Sequence, residues 1–303
     1  MLGAIVSSRI LRLYISRELP GWGRIYEKLV GDYKQNEKWA SACPKVIIDK
    51  RYKLIRYLDI REWADRSFYF LKRWYDLPAQ IIVDNLIGEG DHIIDIGANY
   101  GHFSLAASSR AGNEGRVYAY EPNPSAVDRL KLHVTTNKLE NVAIRPSGLS
   151  DEPGSLILHI PHINCGEATF SGQIYDLSTE IFCKIETLDT QSFEARIAFV
   201  KIDVEGFESR VLRGGKSLIK SDRPIILTEI IDVHLKRSSS SFDDLYAFFK
   251  RHNYSYHRVS TKRKGQSHQL VLGKDGDAFI DGDYLWLPSE RSQSIIAQLE
   301  EAA

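Results

Sequence analysis

A chain of 303 residues that is 43% hydrophobic and 26% charged can build one sizeable core, as a single large domain or as a core domain with additions. Lys plus Arg and Asp plus Glu both number 40, so no global field attracts a polyanion, and nucleic acid is disfavoured as a partner. Cys43, Cys165 and Cys183 are scattered, with no pair at zinc-ligand spacing, which fits free thiols in a reducing, cytoplasmic setting.

At the N-terminus, Leu2, Ile5, Val6, Ile10 and Leu13 recur with helical period and predict an amphipathic helix. Arg9, Arg12 and Arg17 interrupt its apolar run well short of a bilayer span, and the run is too short for a signal-peptide core. Its apolar face is expected to pack on the body of the protein or on a second copy, which makes a homo-oligomer one partner reading. Peripheral contact with an anionic membrane through residues 1–19 is the minority alternative. Residues 1–79 hold this helix and a mixed extension with the strand-like "KVIIDKRYKLIRYLDI" and the aromatic-rich "SFYFLKRWYDL".

From residue 80 onward the pattern changes. "HIIDIG", "RVYAYE", "VAIRPSGL", "AFVKID" and "PIILTEI" read as strands, and "NPSAVDRLKLHVTTN" and "ESRVLRGGKSLIKS" as helices between them. Such alternation implies an α/β fold with a doubly wound, mostly parallel sheet. Ser241 is placed to cap a helix, with Asp244 three positions on and Leu245, Phe248 and Phe249 facing inward. "YSYHRV", "HQLVLG" and "DYLWLPSE" then predict strands, the first two joined by the turn-like "STKRKGQS" into a terminal antiparallel hairpin.

The strand "HIIDIG" runs into the turn Asp95-x-Gly97-x-x-x-Gly101. A dinucleotide fingerprint needs a second glycine for the backbone to approach a pyrophosphate, and here Ala98 and Asn99 stand where it would fall. A cofactor bearing positive charge, such as S-adenosylmethionine with its sulfonium and ammonium, suits the acid at Asp95 better. Glu121 closes the second strand 24 residues after Gly97 and can accept from ribose hydroxyls. Pro122 and Asn123 then turn the chain into a helix. Taken alone, the acid separates neither NAD from S-adenosylmethionine nor either from a plain core.

"IIDIGANYGHFS", "VYAYEPNP", "GLSD", "IETLD" and "FVKIDVEGFESRVLRGG", in that order, resemble the FkbM family of S-adenosylmethionine-dependent methyltransferases over roughly residues 80 to 235. The resemblance implies the class I methyltransferase fold, a seven-stranded doubly wound sheet, and O-methylation of a saccharide, glycolipid or secondary metabolite. It also implies that Asp95, Gly97, Ala98, Asn99 and Gly101 surround the methionine part of S-adenosyl-L-methionine. Glu121, with Pro122 beside it, would hold the ribose, Asn123 would lie near the adenosine, and Gly148 to Asp151 would border the adenine. The segment between "GLSD" and "IETLD" matches nothing in the family and is a candidate for choosing the acceptor.

Methyl transfer to a hydroxyl needs alignment and a base within hydrogen-bond reach. On a strand, Phe199, Lys201 and Asp203 share one face. A lysine in a central strand needs a partner, for which Asp203, Glu208 and Glu229 are candidates. Asp203, at the strand's carboxyl end, is expected to touch the cofactor or take the acceptor proton, with Lys201 and Glu229 as the other catalytic candidates. His159, His162 and His234 are further base candidates. Asp203 and Glu229 are also oxygen ligands suited to a divalent metal such as Mg²⁺, a minority reading on two carboxylates, so no metal ligands are assigned. The rival functions are an NAD-dependent oxidoreductase and a non-catalytic scaffold.

Overall fold

The computed structural model describes residues 8–162, 165–172, 178–265 and 267–301. Its centre is an eight-stranded sheet. In spatial order the strands are β12 (Ser267–Leu272), β11 (Tyr254–Lys264), β13 (Gly282–Pro288), β10 (Ile225–Ile230), β9 (Ile197–Ile202), β3 (His92–Ile96), β4 (Arg116–Tyr120) and β5 (Val142–Arg145). From β10 to β5 the pairing is parallel, and β13 inserts antiparallel between β10 and β11. The sheet therefore has one strand more than the seven expected. β11 continues through "STKRK", which reads locally as a turn, and pairs with β12 over its whole end.

The period of two along each strand divides the core between the sheet faces. Ile93, Val117, Phe199 and Leu285 pack on one side with the helices Leu77–Leu86, His102–Ala111 and Ser292–Glu301. Ile94, Tyr118, Val200, Ile226 and Trp286 pack on the other with Glu208–Gly214, Lys216–Asp222 and Phe242–Arg251. Two expected elements are each divided. Pro146 ends β5, and Gly148–Leu149 (β6) leaves for a small sheet with β7 (Gly154–Pro161) and β8 (Ser178–Glu186). The stretch "ESRVLRGGKSLIKS" breaks at Gly214 and Gly215, where helix propensity is lowest.

The N-terminal extension shares the main core. Ile15, Trp39, Leu58 and Phe70 belong to the same cluster as Phe103 and Phe199. β1 (Lys45–Ile48) and β2 (Ile55–Leu58) form an antiparallel hairpin ahead of the helix Trp63–Leu71. On that helix, fully buried Asp65 binds His102 Nε2 at 3.1 Å and also bonds Arg129. Asn137 bonds the backbone of Ile55 through its carbonyl oxygen at 2.6 Å and its amide nitrogen at 2.8 Å.

Leu2, Ile5 and Val6 lie outside the described residues. The helix Arg9–Ser16 packs through Leu11 and Ile15, whereas Ile10 and Leu13, assigned to the inner face from sequence, are exposed. Its neighbours Trp22–Leu29 and Trp63–Leu71 meet the Leu11–Ile15 stripe, an i, i+4 pair. Among the described residues, no helix is long and apolar enough to cross a membrane.

The helix Phe242–Arg251 begins as expected from its cap. Ser241 Oγ accepts from Asp244 N at 3.2 Å, and Asp244 Oδ2 accepts from Ser241 N at 2.9 Å. Leu245 and Phe249 are fully buried beneath it. Ser241→Ala is expected to cost about 1 kcal/mol of unfolding free energy, measured by urea denaturation, with the m-value unchanged.

Candidate active site

The carboxyl ends of β3, β4 and β9 meet at Gly97. Its φ is +82°, and a Cβ there would lie 1.8 Å from the carbonyl oxygen of Asp203, so only glycine lets the two chains approach this closely. Gly97 N and Ala98 N both donate to Tyr120 O at 3.0 Å, and Asp203 N donates to Ile96 O at 3.0 Å. The turn ends at Gly101, which precedes the helix His102–Ala111. These bonds hold the turn, Glu121 and Asp203 in one cluster.

A cleft of roughly 660 Å³, its open mouth included, runs along these strand ends. Glu121 lies in its wall, 6% exposed. Its Oε2 accepts from Asn99 N at 2.7 Å and its Oε1 from Asn123 N at 2.8 Å. Burial outweighs those two bonds and pushes its carboxyl up to about 7. Pro122 and Asn123 line the cleft beside it, and Asn123 Oδ1 also accepts from Ser125 N at 3.1 Å to cap the helix Pro124–Thr136. Farther along, Gly148, Leu149, Leu158, Phe170 and Phe207 form an apolar slot, with the two phenyl rings 5.4 Å apart. The segment carrying Phe170 is pinned by paired backbone bonds between Thr169 and His159, at 2.9 and 3.0 Å, and by Thr169 Oγ1 donating to Glu205 O at 2.9 Å.

A second cavity, about 930 Å³, opens on the other side of the turn and shares Gly97, Asn99 and Asp203 with the first. Lys201, Asp203 and Glu229 all line it. Lys201 Nζ stands 2.7 Å from Asp203 Oδ2, so Asp203 is its partner and neither Glu208 nor Glu229 is needed. Burial opposes the lysine's charge, but the Asp203 and Asp95 carboxylates outweigh it and hold the ammonium above its usual pKa. In return, Lys201 keeps Asp203 below the carboxylate range despite burial. The Asp203 charge, followed by burial, raises Glu229 well above its usual value.

Asp95 lines neither cavity. It is fully buried below the turn, where Oδ2 accepts from Ser104 Oγ at 2.5 Å, and burial raises its pKa. Asp151 also lies outside both: it pairs with Arg213 at 2.8 Å and Arg210 at 3.3 Å on the helix Glu208–Gly214. Of the histidines, His159 meets Glu180 and His162 meets Thr179, away from both cavities. His234 Nδ1 sits 2.5 Å from Glu205 Oε2, at the cleft wall. This approach depends on Gly206, where a Cβ would come within 2.3 Å of His234 O.

Oxygens of Asp203, Glu205 and Glu229 lie within 4.8 Å of one another, a spacing that suits a divalent cation. Lys201 and His234 already pair with two of the three. Sequence reasoning missed Trp74, Tyr75, Asp76 and Asp283, which complete the second cavity. No local motif marks them, since they come from the extension and from β13.

The sheet order, with a glycine turn and a buried acid at the strand ends, defines a class I methyltransferase fold. The chain belongs to the FkbM methyltransferase family: residues 95–256 match the Methyltransferase FkbM domain. It is 30% identical over 144 residues to the hexuronic acid methyltransferase AglP of Haloferax volcanii, which is 46% of this chain and 56% of that protein. The chain thus spans about half the length of that curated relative. Among solved structures it is similar to the FkbM methyltransferase of Methylobacillus flagellatus, with 13% identity, 88% of this chain, 60% of that chain and a TM-score of 0.43. It is also similar to an S-adenosylmethionine-dependent O-methyltransferase of Thermotoga maritima, with 14% identity, 83% and 79% coverage, and a TM-score of 0.40. The family's cofactor is S-adenosyl-L-methionine, and the residues of the cleft fit it: a glycine-only approach at Gly97, the buried carboxylate of Glu121 in the wall and an apolar slot beyond.

Glu208 supports the turn that carries Glu205. Its Oε1 accepts from Gly206 N at 3.1 Å, Oε2 is buried without a partner, and burial raises the carboxyl from 4.5 to about 7. A raised carboxyl stabilises the fold fully below its unfolded pKa, and that contribution disappears as pH climbs through the folded value. Glu208→Gln removes the ionisation, so its melting temperature relative to wild type is expected to rise steadily from pH 5 to pH 8.

Proposed function

We propose that the chain is an S-adenosylmethionine-dependent methyltransferase acting on a hydroxyl of a saccharide, glycolipid or secondary metabolite. The observation that carries this reading is the shared boundary: the cleft with Glu121 and the cavity with Lys201–Asp203–Glu229 meet at Gly97, Asn99 and Asp203. One chamber suits an adenosine, the other an acceptor, and they join where a methyl group would pass between them. The hexuronic acid in the name of the Haloferax volcanii relative supports the saccharide class.

S-adenosylmethionine, when bound, supplies a methyl group on an already activated sulfonium. What remains for the protein is alignment, worth about 7–11 kcal/mol at best, and management of one proton. Glu121 offers the ribose hydroxyls the lone pairs that its two backbone donors leave free. Phe170 and Phe207 hold the base in an apolar slot. Asp203, kept ionised by Lys201, accepts the hydrogen bond of the acceptor hydroxyl and takes its proton as the new C–O bond forms. Lys201 is a positioning residue here, while Glu229, raised above its usual range by the Asp203 charge, lines the same cavity.

The cofactor reading is tested by calorimetric titration with S-adenosylhomocysteine, with NAD titrated in parallel. Glu121 is largely protonated at pH 6 and ribose donors favour its ionised form, so binding is expected to release part of a proton and to tighten from pH 6 to pH 8. The released proton appears as a dependence of the observed enthalpy on the buffer's ionisation enthalpy, and Glu121→Gln abolishes it. Glu121→Ala is expected to weaken binding at least about tenfold, as loss of hydrogen bonds to a charged group does. Binding of NAD in preference to S-adenosylhomocysteine contradicts the assignment.

A further inference from the structure

The second cavity draws its walls from two sources. Gly97 to Tyr100, His102, Phe103, Lys201, Asp203 and Glu229 fall within the family's residues 95–256. Trp74, Tyr75, Asp76, Pro78 and Asp283 fall outside them, in the N-terminal extension and β13. These outside residues are where this chain can set its own acceptor preference. Two of them are acids, and both meet acids contributed by the family segment.

Four carboxyl groups line the cavity: Asp76, Asp203, Glu229 and Asp283. Glu229 and Asp283 are direct partners across the β10–β13 pairing. Asp76 caps the helix Leu77–Leu86 through Oδ1, which accepts from Ala79 N at 3.0 Å. Asp283 donates or accepts no side-chain hydrogen bond among the described residues. The basic residues in the lining are Lys201, which Asp203 engages at 2.7 Å, and His102, which Asp65 engages at 3.1 Å. Both basic groups of the lining are thus already paired, and no basic side chain among the described residues of the lining pairs with Asp76, Glu229 or Asp283. Burial and mutual repulsion raise Asp76 to about 6 and Asp283 well above the usual range, a cost that an incoming cation relieves. An incoming carboxylate adds to that cost. Trp74 and Tyr75 supply aromatic surface beside the acids, and aromatic faces attract cations and stack on sugar rings.

We propose that the second cavity selects an acceptor carrying a protonated amine near its methylated hydroxyl, of the amino-sugar class, over neutral sugars and over uronates, with Asp76 and Asp283 reading the amine. This rests on the methyl-transfer reading above, since that reading makes the cavity the acceptor's.

The test titrates the full chain, saturated with S-adenosylhomocysteine, with three methyl glycosides of one sugar: the 2-amino glucoside, the glucoside and the glucuronide. The expected order of affinity is amine, then neutral, then uronate, with at least about a tenfold gap between the extremes, the size of one charged hydrogen bond. Asp283→Asn and Asp76→Asn, the second of which keeps a capping side chain, are each expected to shrink the amine-to-neutral ratio severalfold. Thermal melts of both variants show whether they are folded. Equal affinities, preference for the glucuronide, binding by none of the three, or an amine preference untouched in both folded variants would overturn the proposal. The loading step reports separately on the cofactor: if S-adenosylhomocysteine itself does not bind, the methyl-transfer reading fails before any acceptor is added.

Discussion

The backbone of Gly97 touches the carbonyl of Asp203, and the site depends on that contact. A Cβ at Gly97 would overlap this oxygen at 1.8 Å, and the residue's φ of +82° is one that side chains avoid. With no side chain between them, β3 and β9 end flush. Asn99 N can then reach Glu121 just past the end of β4, while Asp203 projects into the space beyond the turn. One close approach thereby forms both chambers and the passage between them. Any larger residue at 97 would separate the strands that hold the two ends of the reaction.

Charge is arranged around this contact at some cost to stability. Glu121, Glu208, Glu229, Asp76 and Asp283 all have carboxyls held above their ordinary values, mostly by burial. Perturbed acids concentrate at functional sites because binding and proton transfer require them there. Asp203 goes the other way, and its cause is specific: a buried lysine two residues earlier on the same strand face, at 2.7 Å. That lysine and His234, which meets Glu205, are the basic side chains paired with acids at this strand end.

Much of this was legible in the sequence because the signals are local. The parallel strands show as short apolar runs, and Lys201 and Asp203 share a strand face by their i, i+2 spacing. Ser241 and Asp244 sit at the offset of a capping box, which the helix confirms. Residues whose role depends on distant chain were not legible. Trp74, Tyr75, Asp76 and Asp283 reach the second cavity only because β13 inserts beside β10 and the extension joins the main core. Asp95 and Asp151 stand at motif positions, yet Ser104 engages the first below the turn and two arginines draw the second outward. In the first helix, neighbouring helices take Leu11 and Ile15, so the Ile10–Leu13 face that the sequence marked for packing on the body or on a second copy is not packed on the body. The β11–β12 hairpin was expected, but its length was hidden by the turn-like composition of "STKRK", which pairs as strand once a partner is present.

The most direct measurement is a crystal structure of the complex with S-adenosylhomocysteine. The account predicts ribose hydroxyls within hydrogen-bond reach of Glu121, adenine between Leu149, Phe170 and Phe207, and the sulfur at the passage bounded by Gly97, Asn99 and Asp203. Density for the ligand in the reverse orientation, or confined to the cavity of Asp76 and Asp283, would contradict it.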